Sequence, residues 1–351
     1  MPARSVRLLL VAGLLSAAAA CGGRGREARA ASAPRSVVPA AGVGAAPFGA
    51  DLGRRVAAEA RVGALARRRF TQAALWDALG PALRAGGGAL RVTEVGRSGQ
   101  GRALRAVTAG EGRTVVLLWS QMHGDESTAT MALADLLAWF AGAPAGGPDG
   151  DALRARLSAA LTVVAVPMLN PDGAERFRRE NAAGLDVNRD ARRQATPEGR
   201  ALARLADSLR PAFAFNLHDH DTRLVGGRRG RPVAVSLLAP AAGADGAWGP
   251  ARSAARLVAA GLAAGLASEL PGRVARYDDA YTPDAFGEWM QARGVATVLV
   301  EAGALPGDGE RQRLRALHVA ALLGALDAIA TGAWRGADAG VYDRLPAGRL
   351  P

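Results

Sequence analysis

Lysine is absent from the 351 residues; all 44 basic side chains are arginine. Cysteine occurs once, at Cys21, histidine four times, and aromatic residues make up 5% of the chain. A single cysteine excludes an intrachain disulfide, so a packed core and any bound metal must stabilise the fold. Four histidines leave few ways to build an imidazole metal site, and each can be traced individually. The uniform use of arginine, with abundant alanine and glycine, has the look of a coding bias, and the net charge of +12 is discounted accordingly. Residues 1–50 hold six arginines and one glutamate, and the remaining charge is interspersed with acids as on solvated helix faces. No arginine cluster interleaved with aromatics appears, so nucleic acid is not an expected partner.

The N-terminus, MPARSVRLLLVAGLLSAAAACGG, places two arginines before an apolar run too short to span a membrane permanently, followed by small residues. This is the layout of a signal peptide over residues 1–21. Cys21, directly after the small-residue run, stands where a bacterial lipoprotein is lipidated, although Ala18 occupies a position where leucine is usual. The expectation is an exported protein, a periplasmic or cell-envelope lipoprotein anchored through Cys21 or otherwise secreted. Residues 22–50 are rich in Gly, Ala, Pro and Arg without periodicity and read as a flexible linker.

From about residue 51 to 335 the chain alternates apolar runs with longer amphipathic ones. Candidate strands are 90–96, 103–109, 114–120, 161–169, 212–218, 233–240, 274–279 and 297–303. Helices are expected near 72–84, 127–140, 197–209, 251–269, 284–293 and 310–331. Thr196-Pro197-Glu198 and Thr282-Pro283-Asp284 resemble helix starts, a cap residue followed by proline in the first turn. Several strands are continuous apolar runs, as expected where both sheet faces are covered. The pattern predicts one three-layer α/β/α domain around a mixed, mostly parallel twisted sheet of about eight strands. The tail, 336–351, is expected to fray.

In open α/β sheets the ligand site gathers at the C-terminal strand ends. The run TVVLLWS stops just before His123, LTVVAVPML runs into Asn170-Pro171-Asp172-Gly173, AFAFNL ends at His218, and TVLV ends at Glu301. An ionisable residue closing a buried strand is costly unless something pairs with it, so four such ends favour a site. His123 and Glu126, close together in one loop, can both turn toward one ion. Hydrolytic zinc centres use three protein ligands and keep a position open for water. The third ligand must come from His218, His220 or His318. His318 lies in an obvious helix and reads as a packing residue. His218, directly following a strand, is the better candidate, with His220 of the same side-chain parity as a substitute. Asp219 or Asp221 stands where it can orient a ligand histidine, or is simply an exposed turn acid.

Taken in order, HGDE, NPDGAERFRRENAAGLDVNRD, NLH and VLVEAG resemble the zinc metallocarboxypeptidases of the carboxypeptidase A type, over roughly residues 85 to 305. The His₂Glu donor set is the family's own, so it does not stand apart from the resemblance. The resemblance implies Zn²⁺ on His123, Glu126 and His218, with Glu301 as the general base that deprotonates water and returns the proton to the leaving amine. It implies Arg179 as the oxyanion stabiliser, with Arg178 the alternative if the loop register differs. Asn188 and Arg189 match the pair that grips a substrate's terminal carboxylate, a task suited to the planar guanidinium. A mobile tyrosine that closes over the substrate corresponds to Tyr281 or, alternatively, Tyr277. The expected activity is removal of C-terminal residues from peptides. A murein stem-peptide amidase on the same fold is the near rival. An N-acyl amino acid deacylase and a non-catalytic binding module are more distant ones, since export argues against the first and an intact ligand set against the second.

Overall fold

The computed structural model describes residues 50–226 and 230–350. The expected signal peptide with Cys21, and the linker up to residue 49, lie outside the described residues. The strands are β1 (Leu90–Arg97), β2 (Ala103–Ala109), β3 (Thr114–Ser120), β4 (Leu161–Val166), β5 (Phe213–Asp219), β6 (Val225–Gly226), β7 (Arg231–Pro232), β8 (Val235–Leu238), β9 (Val274–Arg276), β10 (Ala296–Ala302) and β11 (Gly348–Arg349). The helices are α1 (Ala50–Glu59), α2 (Gln72–Ala85), α3 (Thr128–Phe140), α4 (Gly147–Ala160), α5 (Pro171–Arg176), α6 (Pro197–Leu209), α7 (Pro250–Leu266), α8 (Phe286–Ala292), α9 (Gln312–Thr331) and α10 (Ala339–Asp343).

The β-branched and leucine-rich runs pair into one eight-stranded mixed sheet of order β1-β2-β4-β3-β5-β10-β8-β9. Its centre, β4-β3-β5-β10, is parallel, while β1 and β2 add antiparallel on one side and the β8-β9 pair runs against β10 on the other. Strand alternation then decides the layers. Val116 and Leu118 of β3 pack with residues of α1, α3, α4, α7 and α9. Leu117 and Trp119 point the other way, into a cluster with α6 and α8. The result is the expected three-layer arrangement, with both faces of the central strands buried.

Proline and short polar caps set several helix starts. Thr196 accepts a hydrogen bond from Gly199 N ahead of Pro197, and Asn170 accepts one from Gly173 N ahead of Pro171. Helix α3 is buried along its whole length. Its Asp135 pairs with Arg315 of α9, and both partners also bond the 62–65 loop through Val62 N, Val62 O and Leu65 O. A buried pair breaks at high cost when one partner is removed, so this cluster fixes α3 against α9. Helix α9 is long and apolar enough to cross a membrane, yet most of it is buried among α1, α3 and α7.

The segment after 335 differs from the expectation of fraying. Tyr342 on α10 is buried and its hydroxyl accepts a hydrogen bond from Ala239 N at 3.1 Å. Strand β11 pairs with β6, and Ala347 bridges to Arg276. A single aromatic anchor with a hydrogen-bonded tip orders a stretch whose composition alone reads as loose.

His318 proves to be a packing residue of α9. Its Nδ1 meets Leu314 O at 2.8 Å, and burial holds its pKa down at about 4. The unfolded chain takes up this proton as pH falls below about 6.5, whereas the folded protein refuses it until about pH 4. Folding is therefore opposed increasingly across that window, by an amount on the order of 3 kcal/mol. Urea unfolding of His318→Leu should show a flatter stability profile between pH 6.5 and 4 than the parent. An unchanged slope would remove His318 as a source of the acid sensitivity.

Candidate active site

The parallel strands deliver their C-terminal ends to one cleft. Strand β3 leads into the loop carrying His123 and Glu126. Strand β5 supplies His218 and β10 supplies Glu301, which face each other across the parallel ladder as register partners. A ligand atom from each of His123, Glu126 and His218 lies within 4.8 Å of the others, and all three residues are buried. His123 Nδ1 is 2.7 Å from Glu126 Oε1, His218 Nδ1 is 2.6 Å from Glu126 Oε2, and the two Nδ1 atoms are 3.2 Å apart. His220 is not in this group. Its Nδ1 faces Asp221 O, and its ring stands beside Tyr277, with centroids 6.4 Å apart.

The loop that carries His123 and Glu126 is built by close backbone approach. A Cβ on Gly124 would fall 2.0 Å from the carbonyl carbon of Gly173, so only glycine lets the two loops touch. Asn170 Nδ2 donates to Met122 O at 3.1 Å and to Arg179 O at 3.3 Å, tying the metal-ligand loop to the arginine loop. Asp172 is fully buried and accepts from Ser98 Oγ, Gln100 N and Arg102 Nη1. Asn181 donates to Glu198 and accepts from Ala183 N and Leu185 N, shaping the turn that presents residues 186–189. Much of the Asn170–Asp190 motif is therefore scaffolding.

Electrostatics sort the site. Burial alone would raise Glu126, but the two imidazoles outweigh it and hold the carboxylate ionised, well below its ordinary range. Burial works against charge on His123, yet Glu126 and Asp186 overcome it and raise its pKa. Burial dominates at His218 and lowers it. Glu301 is pushed well up by burial and by the charges of Glu126 and Asp219. Among the described residues no protein group hydrogen-bonds the Glu301 carboxylate, which opens onto the cleft. A buried, unpartnered carboxylate with a raised pKa beside a ligand cluster has the character of a general base.

Asp186 is the residue that sequence reasoning passed over. Its Oδ1 lies 3.0 Å from His123 Nε2, and its Oδ2 accepts from Arg179 Nε and Nη2 at 3.1 and 2.9 Å. It thus orients both a ligand imidazole and the arginine. The Asp-x-Asn-Arg spacing contained it, and the pairing of a carboxylate with a ligand histidine was the available signal. For Asp219 and Asp221 an orienting role and that of an exposed turn acid were both open; neither pairs with a ligand imidazole, and Asp221 is an exposed acid. The Asp219 side chain accepts from Thr128 Oγ1 while its backbone N–H donates to Glu126 Oε2, and Asp221 pairs with exposed Arg223.

The cavity measures about 310 Å³ and is also lined by Arg179, Asn188, Arg189 and Tyr277. Arg179 Nη1 reaches His123 Nδ1 at 3.0 Å and Glu126 Oε1 at 3.3 Å, whereas Arg178 is exposed outside. Asn188 Nδ2 is 3.4 Å from His218 Nε2, and its Oδ1 accepts from Phe286 N. Arg189 donates to Asn188 O. Tyr281 is 37% exposed and stands outside the cavity lining, while Tyr277 forms part of its wall. Their loop is anchored by Arg252, which pairs with both Asp279 oxygens at 2.8 and 2.6 Å beneath the ring of Trp248.

Two imidazoles and a carboxylate, converging and buried, fit zinc as a ligand set with room left for a water. Fold and site together define a metal-dependent hydrolase. Residues 84–219 match the family model described as zinc carboxypeptidase, peptidase M14. That match, together with the buried His123–Glu126–His218 group, supports a zinc metallopeptidase of the carboxypeptidase A/M14 type. No curated protein matches the sequence significantly. Among solved structures it is similar to a metallo-carboxypeptidase from Burkholderia cenocepacia, at 20% identity and TM-score 0.58, covering 74% of this chain and 70% of that one. A metallo-carboxypeptidase from Pseudomonas aeruginosa gives 18% identity and TM-score 0.54, covering 72% and 68%. Carboxypeptidase A from Helicoverpa armigera gives 14% identity and TM-score 0.53, covering 73% of each chain. At these identities the likeness is one of fold.

Replacing Asp186 by Asn leaves the three ligands in place but removes the charge that fixes His123. Zinc affinity, read by competition with a chromophoric chelator, should fall roughly 10- to 100-fold. Parent-like affinity would reduce Asp186 to a partner of Arg179 alone.

Proposed function

We propose that the protein is an exported zinc carboxypeptidase that hydrolyses the C-terminal peptide bond of peptides. The observation that carries this reading is Glu301, unpartnered and in register beside His218, in a cavity that also holds Arg179 and Arg189. Zinc held by His123, Glu126 and His218 would polarise a water and the scissile carbonyl. Glu301 accepts the water's proton and passes it to the departing amine, a shuttle for which a carboxylate with an elevated pKa is suited. Arg179 is placed by Asp186 to stabilise the negative charge that develops on the carbonyl oxygen. Asn188 and Arg189 receive the substrate's free carboxylate, which makes the enzyme an exopeptidase. Tyr277, in the cavity wall, is the tyrosine that closes over bound substrate in this reading.

Glu301→Gln should bind zinc as the parent does and lose roughly 10²- to 10⁴-fold in kcat. A variant that turns over normally would take Glu301 out of the mechanism. Arg189→Ala should raise KM more than it lowers kcat, and C-terminally amidated peptides should resist the parent enzyme. Cleavage of amidated peptides at the same rate would contradict the exopeptidase reading.

The export part of the proposal rests on residues 1–21 alone. Expressed in a bacterium with a lipoprotein pathway, the full chain should partition into detergent and the Cys21→Ala variant into the aqueous phase. Equal partitioning of the two would leave a secreted protein with no lipid anchor.

A further inference from the structure

Away from the cleft, the outer side of α9 is only partly covered. The end of α1 meets the start of α9, where Arg61 donates to Gln312, and α1 packs back along it. The ten residues of α1 span about 15 Å and the twenty of α9 about 30 Å, so α1 stops about halfway along. There α7 and α9 border a groove of about 570 Å³. Gly261, Ala264 and Gly265 of α7 form one wall, all three exposed, and Ala320, Gly324 and Ala328 of α9 form the other. Arg54 of α1 stands at one end, and Trp334 and Val341 at the other. A Cβ on Gly261 or Gly265 would meet no atom within 4 Å, so no described side chain fills the space between the walls.

The charges in this lining, Arg54, Glu269 and Asp338, are already matched. Arg54 pairs with Asp51 and, at 2.7 Å, with Glu269. Asp338 pairs with Arg344 at 3.1 Å and caps α10 through Gly340 N. Every other lining residue is Gly, Ala, Val, Leu or Trp. An ionic group laid here would lose water and gain no partner, so the groove suits a neutral, apolar occupant. A contiguous apolar patch of this kind marks a contact with another element.

The chain itself supplies one. Between Arg35 and Asp51 the sequence SVVPAAGVGAAPFGA carries no charge. It joins the domain at Ala50, the first residue of α1 and about one turn before Arg54 at the groove's end. We propose that the groove is the docking site of residues 38–48 of the same chain, which lie outside the described residues. The groove follows α9 from Leu317 to Ala328, about 16 Å, and eleven residues of chain at up to about 3.3 Å each reach well beyond that. Val38, Val43 and Phe48 supply the bulk that the glycine and alanine walls lack. A segment tethered at the groove's edge binds at high effective concentration, so modest apolar contacts suffice, and a second copy or a free amphiphile would have to displace it.

The test uses the zinc-loaded full chain and follows chymotryptic cleavage after Phe48 by mass spectrometry. A docked Phe48 is shielded, and its cleavage tracks the population that has left the groove. Gly265→Leu fills the groove from a position where a Cβ meets no neighbour, so zinc content should stay at the parent value. Cleavage after Phe48 should then accelerate roughly tenfold or more. Val43→Asp, which alters only the segment and sets a charge in the apolar slot, should accelerate it likewise. Equal rates in the parent and both variants would overturn the inference. With Phe48 replaced by benzoylphenylalanine, irradiation should crosslink residue 48 to peptides of α7 or α9 within one chain, at any protein concentration. Crosslinks that join two chains, or none to either helix, would give the groove another occupant and overturn the inference as well.

Discussion

A carboxylate kept ionised inside the protein is the constraint around which this structure is arranged. Glu126 is buried at the end of the central sheet, and an isolated charge there would be prohibitive. It is tolerated because two imidazoles, the Asp219 backbone N–H and the Arg179 guanidinium converge on its two oxygens. Each of those groups needs its own support. His123 leans on Asp186, Arg179 leans on the same Asp186, and the loops that carry them are laced together through Asn170. Helix α3, which begins directly after Glu126 at Thr128, is held by Asp135 and Arg315 at a point remote from the cleft. Removing any one of these supports shifts the position of a charge that has no water to retreat to.

The division of labour within the Asn170–Asp190 segment follows from that constraint. Arg179, Asn188 and Arg189 reach the cavity. Asn170 turns inward and donates to Met122 O, while Asp172, Asn181 and Asp190 accept from backbone or side-chain donors around them. Polar residues at these positions are therefore required for geometry, since irregular backbone at a sheet edge must have its hydrogen bonds completed locally. A motif that looks chemical in one dimension is mostly a means of holding a few groups at fixed separations.

This explains how the sequence is legible in some places and opaque in others. The central strands read clearly because burial on both faces demands continuous apolar runs, and their ionisable ends at His218 and Glu301 stand out against that background. The order of the motifs along the chain located the ligand set. Helix α4 was not anticipated, because it turns only Gly150, Leu153 and Leu157 inward and so shows little amphipathic contrast. The ordered tail depends on one tyrosine hydroxyl finding Ala239 N, which no local pattern announces. Which of Tyr277 and Tyr281 borders the cavity was equally invisible, since it depends on how Arg252 and Asp279 anchor their loop. Asp186 lay in plain view but resembled its neighbours; only the distance to His123 Nε2 separates it from an ordinary loop acid.

The register of β5 against β10 also arranges side chains in two rows on the face toward the cleft. The first row sets His218, one of the three residues that could hold a metal, in register beside the buried carboxylate of Glu301. The second row, Asn216 with Leu299 and Leu238, lies one strand repeat away along the same face. The alternation of a strand keeps both rows on one face, and the rigid parallel sheet holds their spacing constant.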